Sequence, residues 1–421
     1  MKKIYFLSLL ALTIMFSANR ALAQTTYTKQ VIIVNGNIYS DPDDFVTVAS
    51  YNPETQETTE FATIHTQSVQ DVIVHEGFAY VAAQDSIVKL DIDNYSKVAA
   101  VTAPGINKLA TDGNVLLASY WYPNTENFIK IYSLENLEHI TTIEGISGEA
   151  AGIFVKDGIA LVAVPGPYGT TTGKIASLDI NEGTLLSEDD YGESFVDISF
   201  FASWNNVTTA FMKTEYGGST AVIATLDAEG EIIKETNFDI SLAGKTGQME
   251  NVVYAEINNG IGSINIETSE IINETIVAPQ TMSIAASAID TVNNLIYLTT
   301  SDFYSAGDGF IYNLSGENTG LFEAGVSAQA IAIDYRLNTG INKIEFAQDL
   351  TVFPNPATNH INFNIPSNQN VVNTIISDVA GKIVYNKPSA SQIDVNSFNS
   401  GLYFITIKTN SSVFNGRFIK E

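Results

Sequence analysis

Between Asp71 and Val101 the chain alternates short apolar bursts with polar links. DVIV, FAYVAA, IVKLDI and VAAV are separated by HEG, QDS and DNYSK. Compact bursts rich in β-branched and aromatic residues, bounded by turn formers, predict four β-strands. The polar turn after the first strand of this unit recurs at Asp112-Gly113-Asn114, Lys156-Asp157-Gly158, Asn205-Asn206, Glu250-Asn251, Asn293-Asn294 and Leu337-Asn338. After six of the seven turns comes a similar second strand: FAYVAA, VLLASY, IALVAV, VTTAFM, VVYAEI, LIYLTT. Such β-rich runs suit strands packed on both faces. No stretch carries a long, capped 3.6-residue period, so the chain reads as all-β.

The turns recur roughly every 36 to 48 residues, the range of four-stranded propeller blades. First strands fall at SVQDVIV, GINKLAT, EAAGIFV, FVDISFF, a degenerate LAGKTGQM, SIAASAI and AQAIAID. The last of these, Ala328 to Asp334, has no followers, while VIIVNGNIY, FVTVASY and TTEFATI near the N-terminus have no leader. Joining the two completes a blade and removes open sheet edges. The expected body is a seven-bladed β-propeller over 24–340, closed by N- and C-terminal strands. The weak copy near Lys245 leaves six blades as the competing count.

From Thr339 the pattern changes. Residues 341–348 read as a linker, and 349–421 as a small Ig-like β-sandwich with turns at Gly381 and at Asn399-Ser400-Gly401. FPNPA at Phe353 to Ala357, SDVAGKIVY at Ser377 to Tyr385, NSGLYFITI at Asn399 to Ile407 and the terminal GRFIKE resemble the type A C-terminal sorting domain of the type IX secretion system of Bacteroidota. On that resemblance Pro354, Asn355, Pro356, Gly381, Gly401 and Tyr403 carry the sorting motif. The type IX machinery is then a partner, and the protein is secreted or held at the outer-membrane cell surface. The repeats resemble, less specifically, YVTN-type and quinoprotein-like surface propellers through FAYVA and IVKLDID, a family that spans binding proteins and enzymes. At the other end, Lys2-Lys3, the apolar run Ile4 to Phe16 and Ala21-Leu22-Ala23 predict a signal peptide over 1–23. No later run approaches the length of a transmembrane helix.

Charge and chemistry narrow the function. The net charge is −27, and loss of Lys2, Lys3 and Arg20 with the leader takes it to −30. Nucleic acid is excluded as a partner, since phosphate binding needs clustered cations. With no cysteine there is no disulfide, thiolate zinc site or lipobox. His65, His75, His139 and His360 show no ligand spacing, which argues against a histidine metal centre or a Ser-His-Asp triad. Asp91, Asp93, Asp179 and Asp227 precede corresponding turns and read as turn caps. Asp41, Asp43 and Asp44 offer hard oxygens to Ca²⁺ but lack the spacing and glycine of a calcium loop, so they read as a solvated turn and no cofactor is expected.

Links between second and third strands gather on one propeller face, and several are aromatic. They supply Tyr120, Trp121, Tyr122, Tyr168, Tyr216, Phe303 and Tyr304 as candidate ligand-binding residues. Aromatics on loops offer flat apolar surface with polar handles, suited to sugar rings or peptide side chains; packed as lids over the blade ends, they would only seal the core. The leading expectation is a non-catalytic binding protein for a glycan, peptide or protein. The alternatives are a polysaccharide lyase or hydrolase at the channel mouth, and a structural or adhesion component. Beyond Arg20 and the sorting domain's Arg417, Arg336 is the only arginine, which disfavours an arginine-clamped acidic-sugar site.

Overall fold

The computed structural model describes residues 25–38, 40–166, 169–214, 218–227, 230–338, 348–366, 369, 371–388, 391–409 and 412–421. The expected signal peptide, most of the expected linker, Tyr168 and Tyr216 lie outside these. The chain divides into two units, Thr26–Leu337 and a second that runs from Asn338 to Glu421. Among the described residues the only helical element is the three-residue 3-10 turn Glu193–Phe195, and no helix is long and apolar enough to cross a membrane.

The first unit consists of seven four-stranded sheets among the described residues. Six are contiguous meanders, with first strands Asp71–His75, Ile106–Thr111, Ile153–Lys156, Asp197–Trp204, Leu242–Met249 and Ser283–Asp290. Their first hairpins turn through left-handed residues: Glu76 and Gly77, Asp157 and Gly158, Asn205 and Asn206 all have positive φ. That twist matches the strands, which is why Asn, Asp and Gly cluster at these links. The degenerate LAGKTGQM is a strand after all. Its register slips twice, between Leu242 and Lys245 and again before Gly247, so the expected alternation is broken there.

The seventh sheet joins distant segments: Ala328–Asn338 lies beside Thr25–Asn35, followed by Val46–Asn52 and Glu57–Ile64. Val31 to Val34 are all fully buried. Val31 and Ile33 pack with Tyr51, Tyr297 and Phe322 toward the 283–326 sheet, whereas Ile32 and Val34 pack with Val72, Val81 and Leu90 of the 71–102 sheet. Both faces of one strand are thus used, and each buried side chain contributes about 1.5–3 kcal/mol. The backbone of Leu337-Asn338 continues this strand, so the turn expected there does not exist.

A polar network ties the joint. Gly36 N–H donates to the Ser327 carbonyl at 2.9 Å, and Gln30 Nε2 donates to Asp334 Oδ2 at 2.9 Å. Arg336 donates to both Asp334 oxygens at 2.6 and 2.9 Å and to both oxygens of Asp93 at 2.8 and 3.1 Å. Lys29 adds a third cation–carboxylate contact on Asp93 at 2.6 Å. Asp93 therefore serves as an ion-pair partner across two sheets, and the turn-cap role expected of it belongs to Asp91 alone. Asp91 Oδ1 accepts the N–H groups of Asp93 and Asn94, each at 2.9 Å. Asp179 caps its turn in the same way through Asn181 and Glu182, and Asp227 accepts the N–H of Glu231.

The second unit stacks a five-stranded sheet (Gln348–Asp349, Val413–Lys420, Gly401–Thr409, Val371–Asp378, Ile383–Lys387) on a three-stranded one (Val352–Phe353, His360–Phe363, Gln392–Asp394). Val352, Ile361 and Phe363 meet Ile376, Ile405 and Phe418 in one core. Gln348, expected at the end of the linker, already pairs with Phe414.

Candidate functional site

The link after Val115–Tyr120 is held in a fixed shape. Trp121 N–H donates to the Gly105 carbonyl, and Asn124 Nδ2 reaches the carbonyls of Pro104 and Trp121 at 2.7 and 2.9 Å. Gly105 has φ +71, and a Cβ there would come within 2.6 Å of both Asn124 Nδ2 and the Trp121 carbonyl. Only glycine permits this approach. The result projects Trp121, 41% exposed, and Tyr122, 78% exposed, from the sheet end.

Tyr120 behaves differently. It is fully buried, and its hydroxyl lies 2.6 Å from that of Tyr132. Burial, then the Tyr132 hydroxyl, pushes its pKa far up. As the last residue of its strand it points into the core, so it is removed from the expected ligand surface. The link after Leu295–Ser301 follows the exposed pattern. The Asp302 carboxylate accepts the N–H groups of Tyr304 and Ser305, each at 2.9 Å. Those bonds hold the Asp302 carboxyl below its usual range and present Phe303 and Tyr304 to solvent.

Three recesses adjoin along these links. One of about 510 Å³ lies between Trp121-Tyr122 and Gln84-Asp85. A second of about 340 Å³ lies between Trp121 and Pro165-Gly166. A third of about 300 Å³ is walled by Phe303 and Tyr304. Trp121 and Glu149 line both of the first two, and Ser68 lines the first and third. Their charged lining is acidic: Asp85, Glu149 and Asp197, with no lysine or arginine among the described residues. Asp197 is paired with Lys213 at 3.5 Å. Glu149 and Asp197 went unnoticed in the sequence because they belong to a link between sheets and to a first strand, far along the chain from Trp121.

A second polar group was also missed. Glu256 takes a place that is alanine in FAYVAA and IALVAV. Ser287 Oγ donates to its Oε1 at 3.0 Å, and the Thr246 hydroxyl lies 2.8 Å from Ser287 Oγ. Burial raises the Glu256 carboxyl, opposed by the Ser287 and Gly244 hydrogen bonds and by the charges of Lys108 and Lys213. The slipped register at Gly244 makes room: a Cβ there would stand 3.2 Å from Glu256 Oε1.

The acidic link at Asp41, Asp43 and Asp44 is closed on itself. Asp41 Oδ1 accepts the Asp43 N–H at 3.0 Å, and Asp44 Oδ2 accepts the Ile38 N–H at 2.7 Å. These carboxylates do not converge, and among the described residues no group of three or more His, Asp or Glu is arranged to hold a metal ion. The histidines stand apart: His65 lies against the Phe45 ring, and His139 bonds Thr142.

In the C-terminal unit, Asn355 lies between Pro354 and Pro356, both of whose preceding peptide bonds are cis. Its Oδ1 accepts the Ile419 N–H at 2.9 Å, pinning the FPNPA segment to the final strand. Gly381 has φ +80 in a turn whose Asp378 carboxylate accepts the N–H groups of Ala380 and Lys382. Gly401 opens the strand carrying Tyr403. The Tyr403 hydroxyl donates to the Asn399 carbonyl at 2.9 Å, and its ring stacks on Phe418. The motif residues thus brace one fold.

Comparison with known proteins bears on both units. Residues 351–421 match the secretion system C-terminal sorting domain family. No curated protein matches the chain. Among solved structures, the chain is similar to a quinoprotein alcohol dehydrogenase-like protein from Bacteroides thetaiotaomicron (12% identity, 75% of this chain and 79% of that one, TM-score 0.54). It is also similar to a functionally unknown protein from Desulfotomaculum acetoxidans (13% identity, 73% and 99%, TM-score 0.53). These likenesses concern the fold alone. The first unit has a β-propeller-like fold, and residues 351–421 are a type IX sorting domain that marks the chain for export to the cell surface or beyond.

Proposed function

We propose that this chain is a secreted, non-catalytic binding protein. Residues 24–340 form a single seven-bladed wheel whose closing blade combines 25–35 with 328–338, and the Ig-like sandwich over 349–421 is the address read by the type IX machinery once the leader 1–23 is removed. The ligand, a glycan or a peptide, sits on the face bearing Trp121, Tyr122, Phe303 and Tyr304. One observation carries this reading: Trp121 is the shared wall of two adjoining recesses whose charged lining is wholly acidic. An indole face stacks on sugar rings or on apolar and cationic side chains, while the carboxylates repel anionic polymers. The test is binding of the mature chain to immobilised neutral glycans and basic peptides. Saturable binding that Trp121→Ala weakens about tenfold or more is the expected result. Undiminished binding after removal of all four aromatics overturns the assignment.

A second reading, a polysaccharide hydrolase or lyase, is favoured by the Glu256–Ser287–Thr246 chain, since a carboxyl raised by burial suits a general acid. Release of reducing ends or unsaturated products from a polysaccharide panel, abolished by Glu256→Gln, is its signature. No turnover by the wild-type chain removes it.

A further inference from the structure

The sheets 153–190 and 197–238 leave a cleft between them. On the facing side of the first, Phe154 pairs with Leu161, Leu161 with Ser177, and Ser177 with Ser187, so these side chains share one face. Thr208 and Leu226, themselves paired, stand opposite. The space enclosed is about 370 Å³, and the Tyr191 hydroxyl, donating to the Gly230 carbonyl at 2.7 Å, bounds one side.

The repeats supply an internal control. Counted from the turns, Ile159, Leu161 and Ser177 correspond to Phe78, Tyr80 and Lys89 of the 71–102 sheet. There Tyr80, 1% exposed, donates to the Leu134 carbonyl of the next sheet at 2.8 Å. Lys89 Nζ reaches the Leu134 and Glu135 carbonyls at 2.8 and 2.9 Å and lies 3.9 Å from the Phe78 ring centroid. Three long side chains fill that interface. Their counterparts at 159, 161 and 177 are too short to cross, and the gap between the sheets stays open. Tyr254 and Tyr297 hold the Tyr80 position in two further sheets, and Leu117 and Thr209 hold it in two others.

The opened space has an apolar floor and a negative mouth. Asp157, Asp189 and Asp227 line it against one cation, Lys156, whose Nζ is turned to Ser203 Oγ at 3.0 Å. Burial, followed by the charges of Asp189, Glu231 and Asp227, pushes the Tyr191 phenol up to about 12. Pockets of this size take a small molecule when an apolar body meets a few placed polar groups.

We propose that this cleft binds a small organic cation with a flat ring system, its rings on Phe154 and Leu161 and its ammonium toward Asp157 and Asp189. The site is separate from the Trp121 face. The test is isothermal titration of the full mature chain with tryptamine, indole and indole-3-propionate. Tryptamine saturates and indole-3-propionate binds about tenfold more weakly or worse, a charge-reversal effect of the usual size. The variant Leu161→Tyr/Ser177→Lys, which copies the 71–102 sheet, abolishes binding while the near-UV circular dichroism stays native. Ser177→Lys alone, which places a cation in the mouth with little change of packing, also weakens tryptamine. Trp121→Ala leaves the titration unchanged. Failure of tryptamine to saturate, or its persistence in a folded Leu161→Tyr/Ser177→Lys chain, overturns the site. Equal binding of tryptamine and indole-3-propionate overturns the assignment to cations.

Discussion

The 71–102 sheet and the sheet that joins 25–64 to 328–338 have the same four-stranded order but are assembled by different means. In the first, every neighbour is reached through a short turn, and Asp91 bonding to two N–H groups is enough to shape one of them. In the second, Gln30 meets Asp334 across 304 residues. Replacing a turn of a few residues with a loop of that length costs roughly 3–4 kcal/mol in closure entropy. The network of Gln30, Asp334, Arg336, Asp93 and Lys29 is concentrated at this joint. Local sheets are specified by their turns; the remote joint is specified by paired charge, supported by the two-faced burial of Val31 to Val34.

The sharpest way to break this contrast is Asp334→Ala. The Asp334 side chain is almost wholly buried against Arg336, and removing one partner of such a pair costs about 3–5 kcal/mol. Urea unfolding at neutral pH should show that loss, whereas Asp91→Ala, which removes only a turn cap, costs about 1 kcal/mol or less. Equal losses would erase the distinction between the two sheets. Next in size is Tyr80→Leu, which copies the 153–190 sheet into the filled interface. It should cost roughly 1–3 kcal/mol through lost packing and a lost hydrogen bond, read from the same unfolding curves.

The smallest effect concerns Asp93. Burial raises its carboxyl, but hydrogen bonds and charge from Arg336 and Lys29 outweigh burial and leave it below the usual range. A carboxyl lowered in the folded state stabilises above its unfolded value of about 3.9, and the contribution is lost as pH falls through the folded value. Asp93→Asn is therefore less stable than wild type at pH 6, and the two curves converge below about pH 4. Because the pair is partly exposed, added salt should also narrow the difference.

Much of the architecture was legible because bursts of period-two apolar residues between Asn, Asp and Gly turns translate directly into strands. The first strands predicted at Asp71, Ile106 and Ser283 all appear. The errors fall where side-chain direction or distant partners decide. Tyr120 sits one residue before the exposed link, and alternation sends it inward. Asp93 looks like its capping neighbours until Arg336 arrives from the far end of the unit. Leu337-Asn338 resembles a turn by composition, yet both residues continue the strand Ala328–Asn338. The Trp121 recesses depend on Glu149 and Asp197, which no local pattern connects to it. The cleft at Leu161 was invisible for a related reason: each residue there is an ordinary strand residue, and the vacancy is a property of two sheets together.

One connection in the chain has a mechanical consequence. The C-terminal unit follows Ala328–Asn338 in the chain, and that strand sits beside Thr25–Asn35. Any tension applied through that unit during export reaches this strand before any other of the first unit. The Arg336 cluster thus stands at the first point of load, where it resists peeling of the body from its end.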